Sequence, residues 1–134
     1  MKIWTARLFI AIVAFFNLQC AVVFLLFPQS FSGGFELNGV QGQVMVRGMG
    51  ILFLMWNVPY IVALTHPVRR LLSVWEAVVM QLIGVMGETL VYIFLPEGHA
   101  VLRATALRFI AFDGGGLVVL LAALWLTLSI VRRV

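Results

Sequence analysis

The stretch WEAVVMQLIGVMGETLVYIF, residues 75–94, decides the fold. It has the roughly 20 residues that a helix needs to cross about 30 Å of hydrocarbon. Yet it contains Glu76, Gln81 and Glu88. A charged side chain at mid-span costs about 2.5 to 3.5 kcal/mol even on the lenient insertion scale. Such groups belong against protein rather than lipid. The segment therefore reads as a membrane helix with one polar stripe turned inward.

The rest of the chain agrees. Of its 134 residues 63% are hydrophobic and 10% are charged, and the mean hydropathy is +1.12. A soluble domain of this length needs a charged surface that this composition cannot supply. Apolar runs fall at about residues 3–27, 44–64, 71–95 and 106–130. They are continuous rather than alternating, which argues for helices over barrel strands. The expected architecture is all-α: a polytopic four-helix bundle forming one transmembrane domain over residues 1–134. The first run follows Lys2 and Arg7 but is too long for a signal-peptide core, and no A-x-A site closes it. Gln19 before Cys20 is bulky where lipoprotein processing needs a small residue, so an intact first helix is favoured. A single cysteine makes no internal disulfide.

The net charge of +4 follows topology rather than a nucleic-acid patch. Lys2, Arg7, Arg69, Arg70, Arg132 and Arg133 fall on one predicted side; Arg47, Arg103 and Arg108 fall on the other, with Glu36 and Glu97. The basic excess marks the cytoplasmic side, so both termini are expected there. The basic residues double as contacts for anionic membrane lipid.

A helix turns about 100° per residue, so faces can be read by hand. On the third helix Ser73, Glu76, Ala77, Met80, Gln81, Gly84, Gly87 and Glu88 share an arc of about 140°. The opposite side carries Val78, Leu82, Val85, Thr89 and Ile93, suited to lipid. On the second helix Gln43, Arg47, Gly50, Asn57 and Ile61 cluster, and Pro59 should bend the helix. On the first, Arg7, Ala11, Ala14, Asn17 and Ala21 form a stripe that allows close packing. The fourth places Asp113 beside Gly114, Gly115 and Gly116.

By depth, Arg47, Glu88, Arg108 and Asp113 are expected in the outer half, with Asp113 paired to Arg47. Asn57, Glu76 and Gln81 are expected in the inner half, Glu76 either protonated or hydrogen-bonded to Asn57. Structural glue and a functional polar pocket explain these groups equally well. Glu76 and Glu88 are the candidate acid–base residues; Arg47, Asn57, Gln81, Glu88, Arg108 and Asp113 are the candidate ligand-binding residues.

Other chemistries find no support. His66 and His99 are expected on opposite sides of the membrane, and no metal-ligand spacing links them. Either histidine alone could hold a pigment or cap a helix end. Ser73 and Ser129 have no nearby histidine for nucleophilic hydrolysis. The tryptophans and tyrosines mostly lie toward span ends, as interfacial anchors do, although Trp56 and Trp75 could instead wall a pocket.

The first helix ending at LFPQSF, the glycine-bearing loop after it and a second helix opening with VRGMGILFL resemble the small bacterial four-helix membrane proteins grouped as DoxX-like. The resemblance implies a four-helix bundle in the bacterial cytoplasmic membrane, sometimes with redox or quinone-linked partners. It carries no catalytic residue across. The leading expectation is a pocket for a lipid, quinone or isoprenoid, or an accessory subunit of a larger membrane complex. An enzyme performing acid–base chemistry such as isomerisation on a lipidic substrate is the alternative, and a proton-coupled carrier working as a homodimer is a further one. No cofactor is specified.

Overall fold

The computed structural model describes residues 1–132; Arg133, one of the basic residues used for orientation, lies outside the described residues. Four segments are long and apolar enough to cross a membrane: Lys2–Leu26, Gly39–Thr65, Leu71–Phe94 and Ala100–Val131. We label the helices α1 (Lys2–Leu26), α2 (Gln29–Ser32), α3 (Gly39–Trp56), α4 (Val58–Thr65), α5 (Leu71–Phe94) and α6 (Ala100–Val131). A short 3-10 turn, Gly33–Phe35, follows α2. The chain is a multi-pass membrane protein built as a helical bundle, with no strand among the described residues.

Two spans begin earlier than hydropathy indicates, at Gly39 rather than near 44 and at Ala100 rather than near 106. Hydropathy detects only the part of a helix that needs lipid, whereas backbone hydrogen bonding carries the helix past it. At 32 residues α6 is about 48 Å long, so its ends stand beyond a hydrocarbon core of about 30 Å.

The second span is α3 and α4 joined at Asn57. Pro59, the second residue of α4, has no N–H for the preceding turn. The side-chain amide of Asn57 donates to the Phe53 carbonyl at 2.7 Å, which also accepts the Asn57 backbone N–H, so the joint is tied back onto the last turn of α3. The bend divides the bundle. Below it, α4 packs on α5 and α1. This half holds the dry core of Ile10, Val13, Ala14, Tyr60, Ala63, Val74, Ala77, Val78, Leu120, Ala123 and Leu124. Above the bend, α3 packs along α1 and forms no seam with α5 or α6. The α1–α3 approach is close: a Cβ on Gly50 would come within 2.9 Å of the Ala21 carbonyl oxygen.

Polar ties close both ends. Near the chain start the Arg7 guanidinium donates to the Leu64 carbonyl at 2.9 Å and lies over Trp4. A cation thus meets the free carbonyls in the last turn of α4. Arg103 does the same for α5, donating to the Leu95 carbonyl at 2.8 Å. At that second end α2 and the 3-10 turn fold back over the bundle mouth. Phe31 and Phe35 pack on Phe24, and Phe35 stacks on Phe109. Glu36, in left-handed backbone at φ 54°, then bonds the His99 ring and accepts from the Leu102 amide at 3.3 Å.

Candidate functional site

Where α3 parts from α5 the bundle encloses a cavity of about 630 Å³. That lies within the range of about 300–1,000 Å³ typical of small-molecule sites. Phe24, Phe35, Phe53 and Phe109 cap it at the loop end, and Asn17, Asn57, Tyr60, Gln81 and Asp113 line its deep end. From Leu102 to Asp113, both lining residues of α6, the depth is about 16 Å. The flank is open. Leu52 and Trp56 on one side and Ile83 and Val91 on the other line the cavity, yet all four are exposed on the outer surface. In a membrane that outer surface faces lipid chains.

Gln81 organises the deep end. It is 4% exposed, accepts from the Tyr60 hydroxyl at 2.7 Å and from the Asn17 amide at 3.5 Å. Its own amide donates to the Asp113 carboxylate at 3.0 Å and to the Asp113 backbone carbonyl at 3.2 Å. Two glycines leave the room this requires. A Cβ at Gly116 would come within 2.9 Å of the Gln81 amide nitrogen, and one at Gly84 within 2.8 Å of an Asp113 carboxyl oxygen.

One helical turn above Gly84, Glu88 brings a second carboxyl group to the cavity that Asp113 also lines. One Glu88 oxygen is buried without a partner, and so is the side-chain oxygen of Asn57, a residue 2% exposed. Unpartnered buried acceptors are uncommon because each forfeits its hydration. Both of these residues line the cavity.

Of the residues singled out in the sequence, Asn57, Gln81, Glu88 and Asp113 meet at this cavity. The other three do not. Arg47 is exposed and donates to the Leu25 carbonyl at 3.4 Å, so the expected pair with Asp113 is not formed; α3 turns the guanidinium toward α1. Arg108 is also exposed and binds the Thr105 hydroxyl at 3.1 Å. Glu76 is exposed on the outer face of α5, and the amide of Asn57 is engaged by Phe53 instead. The buried line of α5 runs through Val74, Ala77, Val78 and Gln81. It is rotated about 80° from the middle of the expected arc. Val78, expected at lipid, is therefore buried, and Glu76 sits at the arc's far edge, turned away.

Tyr60, Asn17 and Cys20 belong to the site and were not singled out for it. Tyr60 read as an interfacial anchor and Asn17 as part of a packing stripe. Their one available signal was shared depth with Gln81, which became usable only once the bend was known. Trp56 walls the cavity; Trp75 is exposed and does not. Among the described residues no group of three or more metal-ligating side chains comes together.

Comparison with protein-family models, with curated proteins and with solved structures found no match for this chain.

Proposed function

We propose that this chain is a membrane-embedded binding protein for a hydrophobic small molecule with a polar head, entering sideways from the bilayer between α3 and α5. The carrying observation is one cavity that joins a lipid-facing opening to two unpartnered acceptors and a carboxyl pair. An apolar body would lie against Phe53, Phe109, Phe112 and Val91, with its head at Asn57, Glu88 and Asp113. Lipids, quinones and isoprenoids are the candidate chemistries. Both termini are placed on the cytoplasmic side by the basic excess at that end. The membrane is taken to be the bacterial cytoplasmic one from the DoxX-like resemblance.

A second reading, acid–base catalysis such as isomerisation on the bound molecule, is favoured by the two carboxyl groups, Glu88 and Asp113, that line one cavity. Glu76 has no part in it, because it lies outside the cavity. A homodimeric carrier or a subunit of a larger complex would use the same groups differently, and no feature of the site favours either.

Mass spectrometry of molecules extracted from the protein purified in mild detergent tests the reading. Wild type should carry a near-stoichiometric hydrophobic molecule that Gly87→Phe loses while still folded. Gly87 lines the cavity, and nothing lies within 4 Å of a Cβ added there, so the ring enters open space. A variant that retains the molecule at wild-type stoichiometry would refute the assignment.

A further inference from the structure

The charge of the cavity wall narrows the class of molecule. This step rests on the binding reading above and deepens it. Among the described lining residues there is no lysine, arginine or histidine. Of the arginines of the same half, Arg47 is held by the Leu25 carbonyl and Arg103 by the Leu95 carbonyl, while Arg108 binds the hydroxyl of Thr105, a lining residue about 12 Å along α6 from Asp113. The carboxyl groups of Glu88 and Asp113 both face the space, so any charge they bring to it is negative. Gln81, with donors to Asp113, is the group that faces this charge directly. A buried charge without a cation is costly, whereas one paired and hydrogen-bonded is tolerated.

The unpartnered groups point the same way. The Asn57 oxygen accepts hydrogen bonds and cannot donate. The unpartnered Glu88 oxygen accepts as well when that carboxyl is ionised. One hydrogen of the Asn57 amide is held by the Phe53 carbonyl at 2.7 Å. The Tyr60 hydroxyl is likewise held by Gln81. A head rich in acceptors, such as a phosphate or carboxylate, would meet the two carboxyl groups at this end. A head that donates and carries positive charge would satisfy both acceptors and complete the missing ion pair.

We infer that the ligand is a lipophilic amine: an ammonium head seated among Asn57, Glu88 and Asp113, with its chain running out between α3 and α5.

The test uses the full chain in nanodiscs of zwitterionic phosphatidylcholine. Dodecylamine, dodecanol and dodecanoate, alike in chain and different in head, are added at equal low mole fraction. Bound stoichiometry is read by native mass spectrometry and checked by the shift in thermal midpoint. The amine should bind about tenfold or more tighter than the alcohol, since charge-assisted bonds are roughly twice as strong as neutral ones. The acid should not bind. Glu88→Gln and Asp113→Asn should each erase the preference for amine over alcohol. The wild-type series stands without them if either fails to fold. Equal or tighter binding of the alcohol overturns the amine assignment and leaves the cavity reading intact. Preference for the acid does the same. Binding of none of the three overturns both.

Discussion

Gln81→Leu removes the group that the deep end is built around while keeping its size. Four bonds of 2.7, 3.0, 3.2 and 3.5 Å disappear, those with the Tyr60 hydroxyl, the Asp113 carboxylate, the Asp113 carbonyl and the Asn17 amide. Interhelical hydrogen bonds in membranes average about 0.6 kcal/mol and reach about 1.7, so the four together contribute about 2 kcal/mol. The Tyr60 hydroxyl and Asp113 are then left unpaired, which adds about 1–2 kcal/mol. The expected loss is about 2–4 kcal/mol, or roughly 8–15 °C in the thermal midpoint for a chain of this size. Glu76→Gln is the matched comparison. It changes a carboxylate on the same helix that faces outward and touches nothing in the cluster. Its effect should stay within about 0.5 kcal/mol, or roughly 2 °C. Differential scanning fluorimetry in a single detergent reads both. If Glu76→Gln costs as much as Gln81→Leu, the rotation assigned to α5 is wrong and the reasoning fails.

Three further outcomes follow from the same geometry. Gly116→Ala places a methyl 2.9 Å from the Gln81 amide and should lower stability by about 1 kcal/mol. That loss should largely vanish in the Gln81→Leu background, as a double-mutant cycle will show. Arg7→Met removes the bond to the Leu64 carbonyl and the stacking on Trp4, and should cost about 1 kcal/mol in a chemical denaturation series. For the loop over the mouth, the hydrogen bond from His99 holds the Glu36 carboxyl below its ordinary 4.5. A depressed carboxyl stabilises the folded state above that ordinary value and loses the contribution as pH falls through its lower folded value. Hydrogen exchange over residues 28–38 should therefore quicken in acid below pH 4.5, and Glu36→Gln should abolish that step. A loop whose exchange follows the same pH profile in both proteins would contradict the tie.

The spans were legible because a bilayer imposes one simple demand, about 20 apolar residues in a row, and the chain meets it four times. The cavity's polar members Asn57, Gln81, Glu88 and Asp113 were legible for a related reason: in so apolar a chain, a polar group inside a span is best placed against protein, a rule that Glu76, exposed near the start of α5, does not follow. Direction was harder. A helical wheel assumes one uniform rotation, and the second span breaks it at Asn57. On α5 the wheel grouped the polar residues correctly by angle but not about the true inward direction, so Glu76 was carried in with Gln81 and Glu88. The arginines misled for another reason. Counting charges by depth makes Arg47 a partner for Asp113, whereas a free backbone carbonyl at a helix end competes for the same guanidinium, as Leu25 does. Lost seams are also invisible in sequence. The separation of α3 from α5 that makes the cavity comes from the bend and from the tight approach at Gly50, which draws α3 onto α1.

The central claim, a cavity open to the bilayer, can be read through the chain's single cysteine. Cys20 is half-buried and lines the cavity, behind the gap between α3 and α5. In nanodiscs, an apolar mercurial dissolved in the lipid should label it to completion, while a charged mercurial confined to water should not. Gly87→Phe should slow the apolar reagent. Labelling at the same rate in that variant, or no labelling until the protein is denatured, would contradict the lateral opening and the binding function built on it.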